Sequence, residues 1–382
     1  MIEMNFEFSE TQLMIKDMAR KFAEEELAPT AMERDEKEEF PHEQVKKMGE
    51  LGLMGMMVEE QWGGAGLDTI SYVLAMEEIS KVDASAGVIM SVNNSLVCWG
   101  IDVHGTEDQK ERYLRDLASG RKLGAFALSE PEAGSDSTNQ HTSAKLDGDS
   151  YILNGSKNFI TNGSTGDVVL VMAATDRTKG AKGVSAFIVE KNFPGFSVAK
   201  KERKLGIRSS DTVSIAFQDC KVPAANLIGQ EGAGMKFALS TLDGGRIGIA
   251  AQALGIAQGS LEASIKFSKE RKAFGKPIGE LQAIQFKLAD MATNVEAARM
   301  LTLSAAALKD RGDKFGHASA MAKLFASRIA VQAALEAIQI HGGYGYVREY
   351  KVERFLRDAK ITEIYEGTSE IQHIVIARHL LQ

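Results

Sequence analysis

Asp167-Val168-Val169-Leu170-Val171-Met172 decides how this chain is divided. Its valines and the apolar residues between them have the β-branched content of a buried strand. Val184-Ser185-Ala186-Phe187-Ile188-Val189 reads the same way. In Val213-Ser214-Ile215-Ala216-Phe217 apolar residues alternate as on a half-buried strand. Gly, Ser, Thr, Asn and Asp rise over the same stretch, and Asn154-Gly155 and Asn162-Gly163 read as turns between strands. Residues 121–228 are therefore expected to form a compact antiparallel β domain.

Both flanks read as helical. In residues 1–120, Ser9 followed by Gln12 resembles a capping box before Met14-Ile15-Lys16-Asp17-Met18-Ala19. Tyr72 to Ile79 is a second helical stretch, with Gly63-Gly64-Ala65-Gly66 as a loop between them. In residues 229–382, Ile284, Leu288, Met291, Val295, Ala298, Thr302 and Ala305 form a near-heptad stripe. That spacing predicts a long helix in a bundle. Met321, Phe325 and Ile329 mark a second helix, ending at Gly342-Gly343-Tyr344-Gly345, and Leu254, Ala257, Leu261 and Ile265 a third. The fold class is α+β multidomain: an N-terminal helical domain, a middle antiparallel β domain and a C-terminal four-helix-bundle domain. With six prolines and no Pro-rich linker, the domains are expected to pack together. The order is not the alternating βαβ of a nucleotide-binding sheet. Neither a Gly-x-Gly-x-x-Gly after a strand nor a phosphate-binding loop is present, so a nucleotide cofactor must be held by other means.

The 382 residues carry a net charge of −7, which argues against a nucleic-acid or anionic-membrane surface. An anionic ligand needs only a local basic patch or a helix N-terminus. Cys98 and Cys220 have neither pairing nor metal-ligand spacing, so reduced thiols in a cytoplasm are the simplest reading and no metal is expected. Met1-Ile2-Glu3-Met4-Asn5 carries acid rather than a basic leader, and no apolar run is expected to span a bilayer.

Six segments are candidates for chemistry; taken alone, all but the three-glycine segment read as an ordinary turn, a helix pair, a surface loop or, for Glu366, an acid beside a helix cap. Phe126 to Asp136 places small residues and hydroxyls after a strand, where backbone N–H groups can meet a polar ring edge or a phosphate. Asn158-Phe159-Ile160-Thr161-Asn162-Gly163 flanks a hydroxyl with apolar residues, as the edge of a flat heterocycle requires. In Leu242-Asp243-Gly244-Gly245-Arg246-Ile247, two glycines inside a helical run cost about 1 kcal/mol each relative to Ala. That cost hints that something approaches the backbone closely. Glu270 to Pro277 is a basic turn able to grip a pyrophosphate. His341 to Tyr346 holds three glycines where a helix cap explains one. In Ile361 to Gln372, Thr368 is an N-cap for the last helix, and Glu366 precedes it.

In this order and spacing the segments resemble the acyl-CoA dehydrogenase family from end to end, and its short-chain, butyryl-CoA-type members most closely. The matches are Ala127-Leu128-Ser129-Glu130-Pro131, Asn154-Gly155-Ser156-Lys157 through Thr161-Asn162-Gly163, Asp243-Gly244-Gly245-Arg246-Ile247-Gly248-Ile249-Ala250, Phe274-Gly275-Lys276-Pro277 and Tyr365-Glu366-Gly367-Thr368. The resemblance implies FAD held between the β domain and the C-terminal bundle, and a homotetramer built as a dimer of dimers. It places Phe126, Leu128 and Ser129 against the flavin ring, Phe159 over it and Thr161 near N5. Arg271, Phe274, Gln282, Gln339, Gly342 and Gly343 match residues gripping the FAD of the neighbouring subunit, and Thr368 and Glu370 contacts to its pyrophosphate and ribose region. Ser135 matches a position near the CoA arm. Leu242, Asp243, Arg246, Tyr365 and Gly367 match the lining of the acyl-CoA site.

The implied reaction is α,β-dehydrogenation of a short acyl-CoA to the trans-2-enoyl-CoA. Glu366 removes the α-proton, flavin N5 takes the β-hydride, and electrons pass to an electron-transferring flavoprotein. Branched-chain and long-chain relatives carry the base at a position that maps to Gly245, which has no side chain to serve. Glutaryl-CoA dehydrogenases hold a distal carboxylate with an arginine that maps to about Gly87, again without the group. The competing readings are a branched short-chain dehydrogenase, of isobutyryl or 2-methylbutyryl type, and a non-catalytic flavoprotein of the same fold.

Overall fold

The computed structural model describes residues 7–381; the acidic start Met1–Asn5 lies outside the described residues. Helix α1 (Glu10–Phe22) opens on the expected capping box: the Ser9 hydroxyl accepts from Gln12 N, and the Gln12 side chain accepts from Ser9 N. There follow α2 (Ala31–Lys37), α3 (His42–Glu50), α4 (Thr69–Val82), α5 (Ala84–Ser91), α6 (Trp99–His104), α7 (Glu107–Gln109) and α8 (Arg115–Ala118). A π-helical stretch, Val92–Cys98, joins α5 to α6. Contrary to expectation, Ala84–His104 is long and apolar enough to cross a bilayer. Of its most apolar 18-residue stretch, 94% is buried inside the protein, and the segment packs against α4, the first strand and the long helix α9 (Gly234–Glu270). Its apolar face is covered by protein, as in a core helix.

The middle of the chain forms one sheet from β1 (Gly124–Ala127), β2 (Ser143–Asp147), β3 (Ser150–Thr161), β4 (Val168–Ala174), β5 (Val184–Glu190), β6 (Phe196–Lys201), β7 (Thr212–Pro223) and β8 (Leu227–Ile228). The order is β6-β7-β3-β2-β4-β5-β8, with β1 beside β4. The valine run is β4, buried at every residue. The sheet is mixed rather than antiparallel, because β1 runs parallel to β4 and Ser143 of β2 pairs in parallel with Ala174. A loop and the β2–β3 hairpin intervene between β1 and β4, and that detour returns the chain in the same direction.

Asn154-Gly155 is not a turn. It lies inside β3, where the register against β7 shifts between Leu153 and Gly155. Gly155 has φ +144°, and a Cβ there would lie 2.6 Å from Thr142 Cα. The glycine makes a β-bulge under a close backbone approach. The actual β2–β3 turn is at Gly148, with φ +60°.

The C-terminal part holds α9, α10 (Gln282–Asp310), α11 (Gly316–His341), α12 (Val352–Thr362) and α13 (Ser369–Leu380). On the predicted stripe Met291, Val295, Ala298, Thr302 and Ala305 are buried, and Ile284 and Leu288 pack at its edge. A small hairpin, β9 (Lys272–Ala273) with β10 (Lys276–Pro277), leaves α9 through Phe274 (φ +52°) and Gly275 (φ +79°). One apolar core runs through both helical parts and takes Leu170 and Met172 from β4. A second core takes Val169 and Val171 from the opposite face of that strand. This shared core packs the helical parts onto the sheet, as expected for a chain without linkers.

Gly155→Val would drive a Cβ into the Thr142 backbone. It is expected to lower unfolding free energy by about 2 kcal/mol or more, read by denaturant titration.

Candidate active site

Glu366 lies between α12 and α13 with φ +52°, followed by Gly367 at φ +95°. A non-glycine residue in the left-handed region is uncommon and clusters at functional positions. The turn directs the Glu366 carboxyl at α9. A Cβ built on Gly245 would lie 2.1 Å from Glu366 Oε2 and 2.8 Å from Leu96 Cδ2. The bare backbone of Gly245 is thus what makes room for the carboxyl. The residue as a whole is half-buried, while Oε2 is closed off from solvent and has no hydrogen-bond partner. Burial pushes its pKa up to about 7, against the opposing charges of Lys323 and Arg246.

Other positions along α9 carry the rest of the group. Asp243 pairs with buried Arg246 at 2.5 Å. Burial raises the Asp243 carboxyl while Arg246 opposes that shift. Farther along, a Cβ on Gly248 would meet Tyr72 OH and Ser91 Oγ at 2.5 Å. Next comes Gln252, wholly buried: its Oε1 accepts from Tyr365 OH, and its Nε2 donates to Ala84 O at 2.7 Å. Gly87 lies beside it, with a built Cβ 3.7 Å from Gln252 Cγ. Gln252 therefore ties Tyr365 to α5 and closes the gap between α9 and the N-terminal helices. The structure brings together Glu366, Tyr365, Gly367, Asp243, Arg246 and, at the edge of the core, Leu242.

Phe126 and Leu128 lie at the end of β1, and Phe126 stacks on Phe237 of α9 with centroids 6.4 Å apart. Ser129 O accepts from Asn158 N at 2.9 Å, which joins this loop to the end of β3. Phe159 is 66% exposed at φ +60°, two residues before Thr161. Beneath the loop Lys157 is fully buried. It donates to Leu128 O at 3.1 Å, Glu130 Oε1 at 2.7 Å and Gln140 Oε1 at 2.5 Å. Ser135 is exposed on the following loop.

Arg271, Phe274, Gln282, Gln339, Gly342 and Gly343 are not brought to this group. They surround the other end of α9, roughly 38 Å from Arg246 at 1.5 Å per helical residue. There Arg271, Gly342 and Gly343, with Phe267 and Tyr344, line a cavity of about 480 Å³. The Arg271 guanidinium lies over the Tyr344 ring, and no Cβ on Gly342 or Gly343 would meet anything within 4 Å. Thr368 caps α13, its Oγ1 accepting from Ile371 N, and Glu370 follows in the first turn.

Three successive parts of the chain match known domains. Residues 9–121 match the acyl-CoA dehydrogenase N-terminal domain, 125–220 its middle domain and 232–381 its C-terminal domain. The chain belongs to the acyl-CoA dehydrogenase family. It is therefore an oxidoreductase of that class. It is 52% identical to the short-chain specific acyl-CoA dehydrogenase of Clostridium acetobutylicum, covering 98% of this chain and 99% of that one. The butyryl-CoA dehydrogenase of Megasphaera elsdenii superposes with a TM-score of 0.98 at 48% identity, covering 99% and 100%. A chain from a structural study of the electron-transferring flavoprotein of Acidaminococcus fermentans and flavin-based electron bifurcation superposes at 0.98 with 53% identity, again covering 99% and 100%.

Within the acyl-CoA dehydrogenase fold, several residues of the site escaped sequence reasoning. Lys323, Gln372 and Gln252 are wholly buried polar side chains on helices. Their signal was a polar residue on an otherwise small or apolar helix face. Lys157, inside the Asn154–Gly163 stretch, is likewise buried. The strand pattern gave no signal for its burial, because Gly155 and Phe159, two residues to either side, are exposed.

Gly245→Ala would place a methyl on the Glu366 carboxyl and is expected to cut acyl-CoA turnover at least about tenfold. Gly244→Ala, whose Cβ meets only Lys309 Nζ at 3.7 Å, is expected to stay near wild type. Steady-state kinetics of the two variants check this.

Proposed function

We propose that the protein oxidises short, saturated acyl-CoA thioesters to trans-2-enoyl-CoA, with Glu366 as the base that removes the α-proton. One observation carries the reading: an occluded, unpartnered carboxylate oxygen pressed against a glycine backbone, with its pKa raised to about 7. A thioester α-C–H is a very weak acid. Its removal needs a carboxylate aimed at it, kept dry and basic near neutral pH. It also needs donors on the thioester oxygen where enolate charge develops. The Glu366 backbone N–H is such a donor in the family.

The residues fit FAD. Phe126, Leu128, Ser129, Phe159 and Thr161 present an aromatic and hydroxyl surface for a flat ring. At the far end, Arg271 and the two bare glycines offer an open, cationic cradle for a pyrophosphate, with Gln282 and Gln339 beside it. Bound there, FAD supplies the hydride acceptor. One chain cannot close a single FAD over the distance between the two groups. That separation supports a homotetramer, a dimer of dimers, in which the far group serves the neighbouring subunit. The exposure of Phe274 (91%) supports the same reading. Thr368 and Glu370 belong with the pyrophosphate contacts. Ser135, Leu242, Asp243, Arg246, Tyr365 and Gly367 line the acyl-CoA path. We place the domain divisions after residues 120 and 228.

Glu366 carries the base role alone, since Gly245 offers no group. Gly87 likewise has nothing to hold a distal carboxylate. The closure of the α9 gap by Gln252, Tyr365 and Ala84 supports a short acyl chain, as do the short-chain and butyryl relatives. The likeness to the chain from the Acidaminococcus study supports an electron-transferring flavoprotein as partner.

Anaerobic titration with acyl-CoAs tests the reading. Butyryl-CoA should bleach the flavin band, more completely than isobutyryl-CoA or a long-chain thioester; no bleaching by any acyl-CoA contradicts it. Glu366→Gln should keep FAD and lose at least about 10³-fold in turnover. The base works deprotonated, so kcat/KM should rise through about pH 7 as pH increases. A profile flat from pH 5.5 to 8.5 argues against Glu366.

A further inference from the structure

Lys323 of α11 is wholly buried. It forms no ion pair within 4 Å among the described residues, and its Nζ donates to Gly367 O at 2.6 Å. Around it α11 presents Ala320, Ala322, Ala326 and Ser327, all buried. Burying an ammonium without a paired carboxylate is costly, so such a group persists where it does something. The same carbonyl accepts from Gln372 Nε2 at 2.8 Å, and Gln372 is also wholly buried. Two buried donors thus converge on the carbonyl that follows Glu366, at the turn whose φ values are +52° and +95°.

The other charged and titratable groups around the carboxyl are already committed. Arg246 of α9 is paired with Asp243. Asp358 of α12 accepts from Ile207 N at 2.5 Å, and Glu363 pairs with Lys360 at 2.6 Å. Glu370 of α13 is exposed. Burial raises the phenols of Tyr72 on α4 and of Tyr365, which keeps both neutral. Of the two cations whose charge acts on Glu366, Arg246 has its own acid and Lys323 has none within 4 Å among the described residues; Lys309 of α10, half-buried, contacts the Trp99 ring and Met57.

We propose that Lys323 is a positioning residue for the base: by clamping the Gly367 carbonyl it holds the left-handed Glu366–Gly367 turn that presses the carboxyl onto Gly245, and its charge serves that carboxylate. This inference rests on the reading of Glu366 as base. With Lys323 in place the carboxylate is favoured, so removing the charge must move Glu366 titration to higher pH.

The test uses full-length, FAD-loaded Lys323→Met and Lys323→Gln. Glu366 is followed by carbon-13 NMR of glutamate labelled at Cδ, its signal assigned by loss in Glu366→Gln. In Lys323→Met the Glu366 midpoint should rise by about one pH unit. Its kcat for butyryl-CoA should fall about tenfold or more, with KM within about twofold and FAD content unchanged. Lys323→Gln keeps a donor and loses the charge, so it should recover part of kcat while its midpoint stays raised. An unmoved midpoint in either folded variant overturns the proposal, and if Lys323→Met does not fold, the midpoint in Lys323→Gln decides. The NMR titration does not depend on turnover. An active Glu366→Gln would therefore sink the base reading while the midpoints still judged Lys323.

Discussion

A carboxyl group held out of water against the bare backbone of a helix is the constraint on which the site depends. Glu366 reaches that place because Gly245 yields the volume of a side chain and because the Glu366–Gly367 backbone accepts left-handed geometry. Neither condition is cheap. A glycine within α9 weakens the helix, and a left-handed glutamate strains the turn. The surrounding structure over-determines both: α9 is buried along most of its first 28 residues, and the turn is held by buried donors from α11 and α13.

Helix α9 organises the rest. It starts against the sheet, where Phe237 stacks on Phe126, passes Asp243, Gly245, Arg246 and Gln252, and ends at the Arg271 hairpin. Its small residues allow close approach by α4 and the Val92–Cys98 stretch. On the sheet side, Lys157, Glu130 and Gln140 form a satisfied buried network that fixes the loop after β1. Two backbone N–H groups, of His141 and Thr142, complete the coordination of Glu130. Such a network rigidifies when every member is paired, and a flat ring needs a rigid surface.

Much of this was legible in the sequence. The valine run, the heptad stripe and the Ser9 capping box are local signals, and each became the element expected. The parallel placement of β1 was not legible, because strand direction is set by where the chain returns after a loop. Asn154-Gly155 misled because the same dipeptide serves a turn or a bulge, and only Thr142 across the strand decides which. The apolar stretch Ala84–His104 meets the criteria for a membrane span; only its burial by distant segments makes it a core helix. At the site, Glu366 alone reads as a neighbour of a helix cap. Its meaning came from resemblance, and from Gly245, 121 residues earlier in the chain. The roles of Lys323, Gln372 and Gln252 lay in contacts between helices distant in sequence.

The account joins a fold built around one long helix to a proton abstraction by one carboxylate. Hydride transfer follows from that step and reports on it only indirectly. The step itself is visible as exchange of the α-hydrogen with solvent. A non-oxidisable acyl-CoA analogue, its β-carbon replaced by sulfur, isolates it when incubated with the FAD-loaded enzyme in D₂O and followed by proton NMR. The account predicts α-deuteration by the wild type, accelerating as pH rises through about 7, and none above background with Glu366→Gln. Equal exchange by the two proteins would contradict it.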